Sequence, residues 1–187
     1  EEGYSKQKLV PFGEFTPLAG ILGKIIPIIE EIAVSDLSPG PGPQLLETEK
    51  GVIGRLICYD SIYPAISRES VKDGARVLML FTNDSWYGDS TEVTQHTRHA
   101  VLRAVENGRW CIRDANSGIS ALISPTGEVI KELGVNEKGY LNVTAYTRDN
   151  TTLYTVIGDS AVLVSALALV AFAVYKFYLI KSKNRNS

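Results

Sequence analysis

The feature of this sequence that most constrains its fold is an apolar run at residues 160–180, whose only charged side chain is Lys176. As an α-helix this run extends about 31 Å, which matches the hydrocarbon core of a bilayer. The basic residues Lys181, Lys183 and Arg185 follow it directly and favour a cytoplasmic C-terminus. We therefore predict a transmembrane helix, with the preceding domain outside the cytoplasm. The alternative is a buried core helix.

The rest of the composition is that of a soluble α/β domain. The 187 residues suffice for one domain with a substantial core, and the net charge of −2 supplies no positive field for nucleic acid, so no nucleic-acid partner is predicted. The mean hydropathy of +0.01 averages two populations, a domain at residues 1–156 and a membrane segment with its tail at 157–187. The two cysteines, Cys58 and Cys111, make no disulfide framework, and a bridge between them is allowed by count alone.

Cys58 stands at a predicted strand-to-helix turn. Residues 51–57 form an apolar, β-branched run typical of a buried strand, and Pro64 opens a helical pattern that stops at Gly74. The N–H groups and positive dipole end of the following helix favour both a thiolate and a developing oxyanion. Cys58 is therefore a candidate nucleophile. The alternative is a buried cysteine that packs as a small hydrophobe.

A second polar loop is predicted at the same edge of the sheet. Residues 76–81 read as a buried strand that leads into the loop 82–88, at the end of a strand where open α/β sheets place their sites. Trp86 and Tyr87 in this loop are candidates for a substrate wall. Alternatively, they only cap the core.

A helix is predicted at residues 89–107, with Asp89 and Glu92 at capping-box spacing and Gly108 as its stop. His96 and His99 lie three residues apart on it, a spacing that permits a metal site, but no third ligand is nearby, so no metal is predicted. Activation of Cys58 by either histidine is also disfavoured, because no orienting Asn or Asp is evident for them.

Shorter patterns complete a layered α/β or α+β domain. Leu9 and Val10 are predicted to end a strand, before a turn at residues 11–13. Thr16 and Pro17 start an apolar helix that serves as core or contacts lipid, and an irregular loop follows it at 38–43. Further strands are predicted at residues 45–48, 110–113, 119–123, 128–133 and 139–145, with the pair 119–123 and 128–133 forming a hairpin.

Taken together, these stretches resemble the C-terminal part of the bacterial apolipoprotein N-acyltransferases, membrane-embedded members of the nitrilase (carbon–nitrogen hydrolase) superfamily. The resemblance covers nearly the whole chain and implies a nitrilase-like α-β-β-α sandwich, incomplete at its N-terminus, followed by one transmembrane helix. The motifs that carry it are YSK at 4–6, LVPFGE at 9–14, LICY at 56–59, NDSWYG at 83–88, QH at 95–96, RAVE at 103–106, NSG at 116–118, SPTG at 124–127 and the final apolar helix.

The resemblance implies roles for single residues. Cys58 matches the family nucleophile, Lys6 the catalytic lysine and Glu14 a glutamate that positions it. Substrate-binding positions near the lipid cleft are matched by Tyr59 and Trp86, whereas Asp60 stands where the family usually has glutamate, which puts that role in doubt. The family's general-base glutamate is expected upstream of Tyr4, so we expect this chain to be a C-terminal fragment and inactive alone. No cofactor is implied.

The implied reaction is an acyl transfer in two steps at the bacterial inner membrane, on its periplasmic side. Cys58 takes an acyl chain from a phospholipid as a thioester, and the α-amine of the diacylglyceryl-cysteine of an apolipoprotein then accepts it. The implied partners are therefore the phospholipid donor, the diacylated lipoprotein and the membrane. The alternatives are a nitrilase-like amidase or hydrolase that uses water as the acceptor, and a non-catalytic truncated remnant.

Overall fold

The computed structural model describes residues 3–17, 37–88 and 90–185, and these build a six-stranded mixed sheet whose strands lie in the order of the sequence. The strands are β1 (Leu45–Thr48), β2 (Gly51–Ile57), β3 (Val77–Thr82), β4 (Cys111–Ala115), β5 (Ser120–Ile123) and β6 (Val129–Leu133). The helices are α1 (Pro64–Lys72), α2 (Glu92–Asn107), α3 (Leu153–Ile157) and α4 (Ser160–Arg185), with short 3-10 helices at Cys58–Ile62 and Ser85–Tyr87.

Strands β2, β3 and β4 run parallel and are connected by α1 and α2. Because crossovers between neighbouring parallel strands are right-handed, two successive crossovers place both helices on one face of the sheet. The core lies between that face and the helices. It includes Leu56, Ile66, Val71, Leu78, Leu80, Ala100, Ala104, Cys111 and Ile123, which are all buried. The parallel arrangement also brings the C-terminal ends of β2 and β3 to the same edge of the sheet.

The predicted strand at residues 139–145 is wrong. This segment forms no strand, because it lies against the sheet face opposite α1 and α2 instead of pairing with an edge. There Tyr140, Leu141 and Val143 line a hollow of about 340 Å³ together with the β3 side chains Met79 and Phe81. The apolar pattern that predicted a strand therefore reflects packing onto a sheet face.

Several element ends also differ from the prediction. Helix α2 begins at Glu92, after Thr91, and the proposed cap Asp89 lies outside the described residues. Leu9 and Val10 are irregular rather than the end of a strand, although the following turn is present, with the Glu14 N–H donating to the Val10 carbonyl at 2.8 Å. The predicted apolar helix that starts at Thr16 lies almost entirely outside the described residues.

Helix α4 is long, apolar and exposed. Its 26 residues extend about 39 Å, and its Ser160–Tyr178 portion has a mean hydropathy of 2.0 with none of it buried. Among the described residues it is the one helix long and apolar enough to cross a membrane. The short helix α3, which directly precedes α4, is held to the domain by Arg68 of α1. Arg68 donates to the α3 carbonyls of Tyr154, Thr155 and Val156.

Candidate active site

Cys58 lies directly after β2, at the first position of the 3-10 helix, as the predicted strand-to-helix turn requires. Its backbone φ of +49° is in the left-handed region, which non-glycine residues adopt only when their surroundings hold them there. Two buried side chains hold it at its carbonyl oxygen: the Ser61 hydroxyl donates at 2.8 Å and His96 Nε2 lies at 3.1 Å. Cys58 as a residue is half-buried.

Lys6 and Glu14 form a close pair beside this turn. The Lys6 ammonium donates to both carboxylate oxygens of Glu14, at 2.7 and 2.8 Å, and one of those oxygens also accepts the Val10 N–H at 2.8 Å. The Lys6 side chain is only 10% exposed. Its nitrogen lies 5.9 Å from the centre of the Tyr59 ring, so the pair is placed next to the residue that follows Cys58.

Asp60 connects residues 4–8, here called the Lys6 segment, to the turn at residues 57–62 that carries Cys58. Its fully buried carboxylate accepts the N–H groups of Gln7 and Lys8 on one oxygen, and the Ile57 N–H and the Tyr4 hydroxyl on the other, at 2.8 to 3.1 Å. Burial and the Asp60 charge raise the pKa of the Tyr4 hydroxyl, so Tyr4 remains a donor. The four bonds fix the position of Lys6 relative to Cys58. That Asp60 contacts substrate stays a prediction.

The loop at residues 38–43 holds the other side of the Lys6 segment. The Gly40 N–H donates to the Lys6 carbonyl at 2.8 Å, and the Gln44 side chain bonds both the N–H and the carbonyl of Ser5. A Cβ atom at Gly40 would lie only 2.3 Å from the Ser5 carbonyl oxygen, so this approach requires glycine. The Lys6 segment is thus held from two sides.

A buried network of Asp84, His96 and Arg113, which the sequence did not predict, contacts the turn that carries Cys58 from the protein interior. Asp84 Oδ1 lies 2.9 Å from His96 Nδ1, and Asp84 Oδ2 accepts from Arg113 Nη2 at 2.6 Å. The expectation that His96 has no orienting acid is therefore wrong. Asp84 follows β3 and His96 lies on α2, so only the packing of the loop onto the helix shows their contact. His96 nevertheless faces the Cys58 carbonyl rather than its sulfur.

Asp84 is ionised in this network. Burial by itself favours its neutral form, but the hydrogen bonds from His96 and Arg113 and the Arg113 charge outweigh burial and lower the pKa of Asp84 to about 2. Thr82 donates to it as well, at 2.8 Å. Gly118 is required beside it, because a Cβ atom there would lie 2.1 Å from Asp84 Oδ2. This explains the glycine of the NSG motif at 116–118.

The two aromatic residues of the loop differ in their surroundings. Trp86 is 77% exposed, whereas Tyr87 is half-buried, with its ring centre 5.8 Å from that of His96. Burial and the nearby charges of Cys58 and Asp84 raise the pKa of the Tyr87 hydroxyl. Tyr87 therefore packs against His96, which itself contacts the Cys58 carbonyl, and its place in the loop after β3 was the sequence signal that pointed to this edge. A hollow of about 510 Å³ opens at this edge between Ile57, Phe81, Asn83 and Asn116.

Cys111, by contrast, is fully buried in β4, and burial raises the pKa of its thiol to about 12. Such a thiol stays protonated at neutral pH and is a poor nucleophile. Within the described ranges, no three His, Cys, Asp or Glu side chains are grouped to hold a metal ion. The structure thus pairs Lys6 with Glu14 and places this pair next to Tyr59, the residue that follows the candidate nucleophile Cys58.

This fold and this constellation define the class of protein. Residues 4–154 match the carbon–nitrogen hydrolase family, and the chain belongs to that family. Two structures of an amidase from Nesterenkonia sp. AN1, a cysteine-to-serine variant and a cysteine-to-alanine variant in complex with butyramide, each superpose with a TM-score of 0.52. Each is 26% identical and covers 73% of this chain and 47% of the amidase. The predicted nitrilase-like fold is confirmed.

The chain is also similar to curated relatives that are named apolipoprotein N-acyltransferases. The relative from Pseudomonas paraeruginosa is 40% identical over 74% of this chain, and the match covers 27% of the relative. The Geobacter metallireducens relative is 36% identical over 82% of this chain, which covers 29% of the relative. The Synechocystis sp. relative is 34% identical over 95% of this chain, which covers 33% of the relative. The chain thus spans about a quarter to a third of the length of these relatives, and the predicted resemblance is confirmed.

Proposed function

We propose that this chain provides the nucleophile and lysine of an apolipoprotein N-acyltransferase, which moves an acyl chain from a phospholipid to the α-amine of a diacylglyceryl-cysteine. The observation that carries the proposal is the Lys6–Glu14 pair next to Tyr59, the residue that follows the half-buried Cys58, on a domain continued by an exposed apolar helix. The names of the relatives support the same activity.

The first step is acylation of Cys58. The thiol proton passes to the glutamate base that the family resemblance implies, and the sulfur attacks the ester carbonyl of the phospholipid. The Lys6 ammonium and a backbone N–H after Cys58 stabilise the oxyanion that forms. When the ester C–O bond breaks, the base returns the proton to the departing alcohol, which leaves a lysophospholipid and a thioester.

The second step regenerates the thiol. The α-amine of the acceptor attacks the thioester carbonyl and gives up a proton to the base, and the C–S bond breaks as the amide forms. The sulfur leaves as a thiolate and takes up the proton from the base. Glu14 holds the Lys6 ammonium in place through both steps, with its two hydrogen bonds of 2.7 and 2.8 Å.

The membrane places both substrates. We propose that helix α4 spans the inner membrane with the C-terminus in the cytoplasm, so that the site lies on the periplasmic side. The domain at residues 1–156 then stands at the bilayer surface, where the exposed Trp86 ring reaches lipid from the loop after β3. Tyr59 lies next to Lys6, with its ring centre 5.9 Å from the Lys6 nitrogen, and is proposed to contact the acyl chain there.

The test is acceptor choice in the complete natural protein in detergent. With labelled phospholipid and a diacylated lipopeptide that has a free N-terminal amine, we expect an N-acylated lipopeptide, and no product from an N-acetylated acceptor. Cys58→Ala should abolish the product, whereas Cys111→Ala, as the matched control, should retain it.

The second candidate function is an amide hydrolase, which the solved amidase relatives favour. In that case the protein releases ammonia from short amides and makes no N-acylated lipopeptide. That pair of results would overturn the acyltransferase proposal.

A further inference from the structure

His96 is buried beneath the nucleophile and is not needed by the chemistry above. Its side chain is 3% exposed, and its two ring nitrogens have different tasks. Nδ1 faces Asp84 Oδ1 at 2.9 Å, and Nε2 faces the Cys58 carbonyl oxygen and the Ser61 hydroxyl oxygen, each at 3.1 Å. Helix α2 thereby connects the loop after β3 to the turn after β2.

The contacts determine where the ring carries protons. A carbonyl oxygen only accepts, and the Ser61 proton is directed to that same carbonyl at 2.8 Å, so Nε2 must be a donor. The other ring nitrogen, Nδ1, lies 2.9 Å from Asp84 Oδ1 and 3.2 Å from Arg113 Nη2. His96 is therefore held from one side by Asp84 and Arg113 while its Nε2 donates to the Cys58 carbonyl.

The Cys58 carbonyl fixes a second group through the peptide plane. In a trans peptide the C=O of one residue and the N–H of the next point in opposite directions. With the Cys58 oxygen held toward the buried Ser61 and His96, the Tyr59 N–H points away from them, toward the surface. Tyr59 is also in the first turn of a 3-10 helix, where N–H groups have no acceptor within the helix.

We propose that His96, held by Asp84, is a positioning residue that locks the Cys58–Tyr59 peptide so that the Tyr59 N–H faces the oxyanion of acyl transfer. This inference rests on the proposed function, because it concerns the oxyanion of that reaction. The left-handed φ of Cys58 gives this lock a physical reason, since a non-glycine residue in that region is strained and persists where its surroundings hold it. His96 contacts neither the sulfur nor the substrate in this arrangement.

The test separates oxyanion stabilisation from thiol reactivity in the complete natural protein. Alkylation of Cys58 by iodoacetamide is a displacement that forms no oxyanion, whereas thioester formation from labelled phospholipid does. His96→Ala should slow thioester formation at saturating lipid about 100- to 1000-fold, as for loss of one oxyanion donor. It should leave the alkylation rate close to wild type. His99→Ala, a half-buried histidine on the same helix, is the control and should change neither rate.

Two conservative variants test the geometry independently of folding losses. His96→Gln places an amide N–H near the Nε2 position and should recover at least tenfold over His96→Ala. His96→Asn places it near Nδ1, leaves the Cys58 carbonyl without this donor, and should not recover. Equal rates for the two, or parallel loss of alkylation and acylation in His96→Ala, would overturn the positioning role. Absence of a thioester in the wild-type protein would instead overturn the proposed function itself.

Discussion

Gly118→Ala is a small substitution with a large expected effect on the buried network. The added Cβ would lie 2.1 Å from Asp84 Oδ2 and 2.8 Å from its Cγ, whereas ordinary contacts begin near 3.4 Å. Asp84 must therefore retreat by more than an ångström. Because Arg113 Nη2 is only 2.6 Å from that oxygen, such a retreat breaks the ion pair.

The magnitude follows from what remains buried. Both partners of the Arg113–Asp84 pair are 0% exposed, so separating them leaves charges in the interior, which costs about 3–5 kcal/mol of unfolding free energy. If Asp84 could move and still keep its hydrogen-bond partners, the free energy of unfolding would fall by about 1–3 kcal/mol, as for ordinary overpacking. We expect the larger value, because Asp84 is held on both oxygens by Arg113, His96 and Thr82.

The assay is urea unfolding of the complete natural protein in detergent, followed by tryptophan fluorescence, since Trp86 lies two residues from Asp84. Gly3→Ala is the matched control, because a Cβ there meets nothing within 4 Å. The control should unfold like the wild type. A loss below about 1 kcal/mol in Gly118→Ala would contradict the described packing of Asp84.

Three further predictions concern charge and topology. Lys6→Ala should lower the rate of thioester formation about 100- to 1000-fold, because the oxyanion loses a cation. Lys8→Ala is the control and should not lower this rate. Near-normal complementation of an acyltransferase-depleted strain by Lys6→Ala would contradict the prediction. The pKa of Asp84 in the folded protein, about 2, lies below the ordinary aspartate pKa of about 3.9. Its stabilisation of about 2 kcal/mol is therefore present above pH 4 and lost as the pH falls toward 2. In urea unfolding at each pH, Asp84→Asn should lose that part of the acid dependence, and an unchanged acid dependence would contradict this prediction. A reporter active only in the cytoplasm, fused after Ser187, should be active, and a periplasmic reporter silent; the opposite pattern would reverse the orientation.

Local patterns predicted the elements that position the nucleophile. The apolar β-branched run of β2, Pro64 at the start of α1 and the left-handed Gly108 after α2 were all recognisable in the sequence, because each reflects short-range backbone preferences. The strand-to-helix turn at Cys58 follows from these elements. Helix α4 was predictable from length and composition alone.

Contacts between distant segments were not predictable in this way. Asp84 and His96 lie 12 residues apart in different elements, and their contact depends on how the loop after β3 packs on α2. Asp60 was considered for substrate binding, yet its bonds to Gln7 and Lys8 depend on the path of a segment more than 50 residues away. Residues 139–145 were misassigned because an apolar segment packed on a sheet face has a strand-like pattern.

The most direct test of the central claim is to locate the acyl group on the protein. The complete natural protein is incubated with a phospholipid that carries a labelled acyl chain, quenched in acid without an acceptor, digested and mapped by mass spectrometry. We predict one thioester, on Cys58, that hydroxylamine removes and that Cys58→Ala lacks. An acyl group on Cys111, or a label retained after Cys58→Ala, would contradict the assignment of Cys58 as the nucleophile.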